Sequence, residues 1–151
     1  MSTFAGPATE DRSRTTDRKR TVGRRGRLAV GGFFLWTGGV HVGIVAADTD
    51  FYRHFADHAL LAVVRDGWTH VFMAAPTFFG LSLFAGETIL GALLLSGGTR
   101  ARIGWAGVIA FHLLLMLFGV GFWIWSVPAL AVLVALARAD WPSLSPGRSR
   151  P

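Results

Sequence analysis

Residues 103–137 read IGWAGVIAFHLLLMLFGVGFWIWSVPALAVLVALA, thirty-five positions without a formal charge. A single helix of that length would be roughly 52 Å long, against a bilayer core of about 30 Å. Two shorter spans fit instead, at 103–120 and 123–138, turning at Gly119-Val120-Gly121. Two more spans lie upstream. Pro76–Leu95 is a span with proline in its first turn and Ser96-Gly97-Gly98 as its stop. Leu28–Ala47 holds no charge and is interrupted only by Thr37 and His41, and Asp48-Thr49-Asp50 ends it. The pattern predicts an all-α polytopic membrane protein, an antiparallel bundle of four transmembrane helices.

Composition agrees. Of 151 residues, 52% are hydrophobic and 16% charged, with no cysteine. That excludes a wholly disordered chain, a disulfide framework and thiol chemistry. The formal net charge of +6 is gathered outside the spans. Residues 1–27 carry Arg12, Arg14, Arg18, Lys19, Arg20, Arg24, Arg25 and Arg27 among Ser, Thr and Gly. So little apolar surface predicts a disordered basic tail. A basic segment directly before an apolar span sets topology and lies on anionic lipid, which argues against nucleic acid as its partner. With the N-terminus inside, this tail, the Arg100/Arg102 loop and the tail 139–151 with its neighbour Arg138 all face the cytoplasm. The expectation is N-in, C-in in a bacterial inner membrane. Arg24-Arg25 before an apolar run also has the form of a twin-arginine signal, with Val45-Ala46-Ala47 as a cleavage site. The chain from Pro76 to Ala137 is as apolar as that signal, so an uncleaved first span is expected.

The outer loop 48–69 is too polar to cross. Phe51, Tyr52, Phe55, Ala59 and Ala62 recur at helical spacing, with Arg53, His54, Asp57 and His58 on the other sides. This predicts an amphipathic helix over 51–65 lying in the outer interface.

Few residues in the spans can carry chemistry. Glu87 is the only formal charge within them, and an intramembrane carboxylate is a functional candidate by default. Gly80 and Gly91 share its face and leave room for another helix or a ligand. His112 lies at a similar counted depth from the inner side, so a Glu87–His112 pair is expected, able to relay a proton or hold a quinone carbonyl. A single hydrogen bond locking two helices is the structural alternative. His41 sits in Gly39-Val40-His41-Val42-Gly43, a spacing that lets helices approach closely, within one chain or between two copies. His41 and His112 together raise a b-type haem, but their depths differ by roughly 6 Å, and axial ligands must oppose each other across one iron. His54 and His58, four residues apart with Asp57 between them, form a candidate metal site or simply the wet side of a helix. The sequence contains no phosphate-binding loop and no nucleophile elbow, which excludes an ATP-driven machine and a serine hydrolase.

Arg27-Leu28, then Gly32-Phe33-Phe34-Leu35-Trp36-Thr37-Gly38, then Phe79-Gly80-Leu81-Ser82-Leu83-Phe84-Ala85-Gly86-Glu87, then Gly91-Ala92-Leu93-Leu94-Leu95 and Arg100 form one further pattern. It resembles the DoxX-like family of small four-helix bacterial membrane proteins over residues 27–138. The resemblance implies a membrane subunit serving a redox process, one that involves quinone in some members of the family, with Glu87 as the position to watch. Two other function classes stand beside it. One is a non-catalytic scaffold that recruits a membrane or cytoplasmic protein through its tail or loop. The other is a small proton-coupled transporter component.

Overall fold

The computed structural model describes the backbone from Pro7 to Leu144 and side chains from Asp17 onward. Expectations for residues 1–6 and for the tail beyond 144 lie outside the described residues. Within them the chain is helical, with no strand. The long elements are α1 (Pro7–Ala47), α2 (Ala62–His70), α3 (Pro76–Ser96), α4 (Gly98–Leu115) and α5 (Val120–Asp140). Short 3-10 turns at Thr49–Ala56, Phe72–Ala74, Met116–Phe118 and Trp141–Leu144 join or extend them. Four stretches are long and apolar enough to cross a membrane: Asp17–Ala47, Pro76–Ser96, Gly98–Phe118 and Val120–Leu144. Their outward faces are apolar, with Trp36 69% and Ile124 77% exposed. Water would penalise such surfaces and lipid would not. This is the architecture of a multi-pass membrane protein.

Backbone contact fixes how the helices pack. α1 lies along α3 and also meets α5, while α4 packs on α3 and α5. At the α1–α3 crossing, a Cβ added to Gly91 would stand 2.8 Å from the Gly31 carbonyl oxygen. Only glycine permits that approach. A Cβ at Gly23 would fall 2.5 Å from the Asp140 amide, so the α1–α5 contact also depends on a bare backbone. Phe34, Leu94, Trp105, Val108 and Leu133 fill the space between the helices. Gly80 and Gly91 are closely packed within the chain, whereas Gly39 and Gly43 make no close contact within it: nothing lies within 4 Å of a Cβ built on either. The Gly-x-x-x-Gly spacing exists, yet rotation of α1 turns Gly31 and Gly38 toward α3 and leaves Gly39 and Gly43 facing outward.

Three boundaries differ from the sequence expectation. First, α1 is helical from Pro7, so the basic segment up to Arg27 is not disordered in the structure. Helix propagation from an existing span costs far less than nucleation, and Gly23 and Arg27 pack on the end of α5, which anchors the extension. Second, α4 starts at Gly98 rather than 103, because Gly97 and Gly98 both adopt positive φ (76° and 56°) and turn the chain at once. Likewise α5 starts at Val120, directly after Gly119 at φ 92°. Third, the helix expected over 51–65 is two pieces, a 3-10 turn ending at Ala56 and α2 starting at Ala62. The break lets the segment fold down. Leu60 N–H donates to the Leu117 carbonyl (2.9 Å), and Tyr52 and Ala56 are buried against the bundle.

Candidate functional site

The folded-down segment brings the chain's single tyrosine into the bundle. Asp48 caps the 3-10 turn by accepting from the Asp50 N–H at 2.9 Å. One turn later Tyr52 points inward and is fully buried. It is held by an aromatic cap. Trp68 Nε1–H donates to the Tyr52 carbonyl at 2.7 Å, and Trp68 stacks on Phe72 with ring centroids 3.8 Å apart. Phe55, Phe118 and Phe122 complete the cap from the 3-10 turns and from α5. Gly80 makes room on α3, where a Cβ would stand 2.9 Å from the Tyr52 hydroxyl oxygen.

Beneath this cap runs a three-residue polar chain. The Tyr52 hydroxyl lies 2.9 Å from His41 Nδ1, and His41 Nε2 lies 3.3 Å from Glu87 Oε1. The His41 and Tyr52 rings stack at 15°. Both side chains of the His41–Glu87 pair are largely buried. When Glu87 is a carboxylate, His41 Nε2 carries the hydrogen and Nδ1 accepts from the tyrosine hydroxyl. One shift along each bond moves a proton from the phenol to the carboxylate and leaves the opposite His41 tautomer, from which the same shifts run in reverse. Burial pushes the Tyr52 phenol above its usual range, and the negative charge of Glu87 adds to the effect.

The chain ends on unmet polar atoms. Glu87 Oε2 is buried without a hydrogen-bond partner, and so is the neighbouring Thr88 hydroxyl. Both lie at the α1–α3 contact, where a Cβ on Gly38 would reach 3.2 Å from Thr88 Oγ1 and 3.5 Å from Glu87 Cβ. Buried acceptors are normally paired, so an empty Oε2 is a place for a donor to arrive.

His112 is not the partner of Glu87. Its Nδ1 donates to the Val108 carbonyl (2.8 Å), and its ring packs on Phe34 and Trp125. The early start of α4 explains the separation. Measured from the Gly97 turn, Glu87 lies roughly 15 Å along α3 and His112 roughly 22 Å along α4. Nor does His41 fit an axial haem ligand, because both ring nitrogens already have partners. Among the described residues no three His, Asp or Glu side chains gather as a metal site requires. His54 pairs only with Asp57 at 3.0 Å on the exposed surface, and the His58 backbone turns against Gly119.

A second buried polar group lies at the opposite end of the bundle. Asp140, fully buried, holds an ion pair with Arg27 Nε at 2.9 Å and accepts from Trp105 Nε1–H at 3.0 Å on the same oxygen. Its other oxygen accepts from the Ser143 hydroxyl at 3.0 Å, and Arg27 Nη1 donates to the Leu94 carbonyl. Sequence reasoning counted Arg27 as a tail charge and missed this group. The available signal was the last of the basic residues before the first span and a single acid after the last. No protein-family model, curated protein or solved structure matches the chain.

Proposed function

We propose that the protein is a DoxX-like integral membrane subunit that serves a redox process by exchanging protons with a quinone at Glu87. In this proposal the four helices form an antiparallel bundle in a bacterial inner membrane. The termini are cytoplasmic, and the aromatic cap lies at the outer interface. The basic helix end at residues 18–27 and Arg100/Arg102 then share the inner side, as the positive-inside rule requires. The observation that carries the functional reading is the Tyr52–His41–Glu87 chain with its unpaired Oε2. Isolated carboxylates are rarely held within a bilayer unless they move protons or bind a ligand.

The residues fit a hydroxyl-bearing quinol head, since Glu87 Oε2 is an unused acceptor and the Thr88 hydroxyl stands beside it. A bound quinone would supply the two-electron, two-proton chemistry. The protein's part is to accept the proton at Oε2, pass charge compensation through His41, and keep water out with the cap over Tyr52. Purified protein in liposomes with a reduced quinol pool and added ferricyanide, which takes the two electrons as the quinol gives up its two protons, tests this. Glu87→Gln should abolish quinol-linked proton release, and His41→Phe should do the same. Unchanged quinone binding and redox activity in both variants would sink the proposal. Proton-coupled uptake without any quinone, lost in Glu87→Gln, would assign the chain to transport instead.

A further inference from the structure

His112 stands apart from Glu87, and its surroundings point to a different ligand. A cleft of about 580 Å³ opens between α1 and α5, lined by Val30, Phe34, Pro128, Ala129 and Leu133, with His112 of α4 on its lining. That volume lies within the roughly 300–1,000 Å³ of small-molecule sites. Phe33 and Val132, also part of its lining, are more than half exposed, so the cleft faces the bilayer. The lining contains one polar side chain, and His112 is only 4% exposed.

The direction of one hydrogen bond decides what the cleft can hold. A backbone carbonyl only accepts, so the Val108 bond places the ring hydrogen on Nδ1. In the neutral ring Nε2 is then a bare acceptor, and among the described residues it has no hydrogen-bond partner. The lining offers no donor, since Pro128 lacks an N–H and the remaining side chains are apolar. A carbonyl-headed ligand would find nothing to accept from, and a carboxylate or phosphate would meet no cation. A molecule with two hydroxyls would leave one unpaired in an apolar wall, which costs free energy. We infer that the α1–α5 cleft binds a membrane-dissolved lipid alcohol, its single hydroxyl donating to His112 Nε2 and its hydrocarbon chain lying between α1 and α5. This site is independent of the quinone reading at Glu87.

The test uses the full-length protein in detergent micelles with a diazirine-bearing farnesol as photoprobe. Labelling should fall on peptides of α1 and α5. Unlabelled farnesol should compete about tenfold better than farnesyl methyl ether, which has the same chain and no donor. His112→Leu should erase that preference while leaving chain binding, and Ala129→Phe should fill the cleft and block labelling. Glu87→Gln should leave farnesol binding unchanged, so failure here and failure of the quinone reading are separable. Equal competition by the ether, labelling away from α1 and α5, or a quinol displacing the probe about tenfold better than farnesol would each overturn the assignment.

Discussion

Two buried carboxylates, Glu87 midway along α3 and Asp140 at the end of α5, are treated differently. Asp140 is met on both oxygens, by Arg27 and Trp105 on one and by Ser143 on the other. Glu87 is met on one oxygen only, by His41. The Asp140 group joins α1, α4 and α5 and leaves that carboxylate with no empty oxygen, so it acts as a structural clasp. The Glu87 group keeps one acceptor open at the end of the Tyr52–His41–Glu87 hydrogen-bonded chain. Burial is common to both acids, and the completeness of their partners separates them.

The largest effect is expected at the clasp. Asp140→Ala strands the buried Arg27 guanidinium and the Trp105 N–H, and should cost about 3–5 kcal/mol, read as a large fall in Tm in detergent. Glu87→Gln should change stability by less than about 1 kcal/mol, read as a small shift in Tm, while lowering proton-coupled activity by about 100-fold. Equal destabilisation by the two variants would erase the distinction between the sites. Next in size is the helix contact that brings His41 to Glu87. Gly91→Val must push α1 from α3 and should cost about 1–3 kcal/mol together with activity, whereas Gly43→Val, facing open space, should be silent. A reversed order would show that α1 is rotated otherwise.

The smallest effect is a titration. Tyr52 is the only tyrosine, so tyrosinate absorbance reports it alone. Its ionisation should come above the ordinary value of about 10, because burial and then Glu87 both disfavour the anion. Removing the charge in Glu87→Gln should bring the midpoint down part of the way, and Asp140→Asn should not move it. A folded pKa raised above the unfolded one sets the sign for stability. Tyr52's contribution is complete below about pH 10 and is lost as pH rises through the folded midpoint. A Tyr52 that ionises at or below the ordinary value would break the link between the phenol and Glu87.

Much of the fold was legible because membrane spans are long, uncharged and bounded by turn residues. The uncharged run 103–137 could only be two helices, and the left-handed Gly119 marks where they part. The ends were less legible. Nothing local to residues 7–27 favours order, and the helix there continues from the span and is anchored on α5. The site was half legible. Glu87 stood out as the one intramembrane charge and His41 as a polar residue in a span. Their pairing did not stand out, because counted depth assigned Glu87 to His112, and a five-residue shift in the start of α4 removes that match. Tyr52 was read as part of an apolar stripe. Only the break between Ala56 and Ala62 and the fold-down onto α3 make its hydroxyl a partner of His41.

Hydropathy and charge by themselves pointed to helices, four of them of membrane length, with Glu87 as the one charge inside the apolar runs, since both are properties of single segments in a given solvent. Tertiary structure alone decided which face each helix turns inward. A helix's rotation is set by what it packs against, and one residue of rotation moves a side chain by about 100°. That rotation sent Gly31 rather than Gly39 into the α1–α3 contact, gave Glu87 to His41, left His112 to a lipid-facing cleft, and closed Asp140 on Arg27.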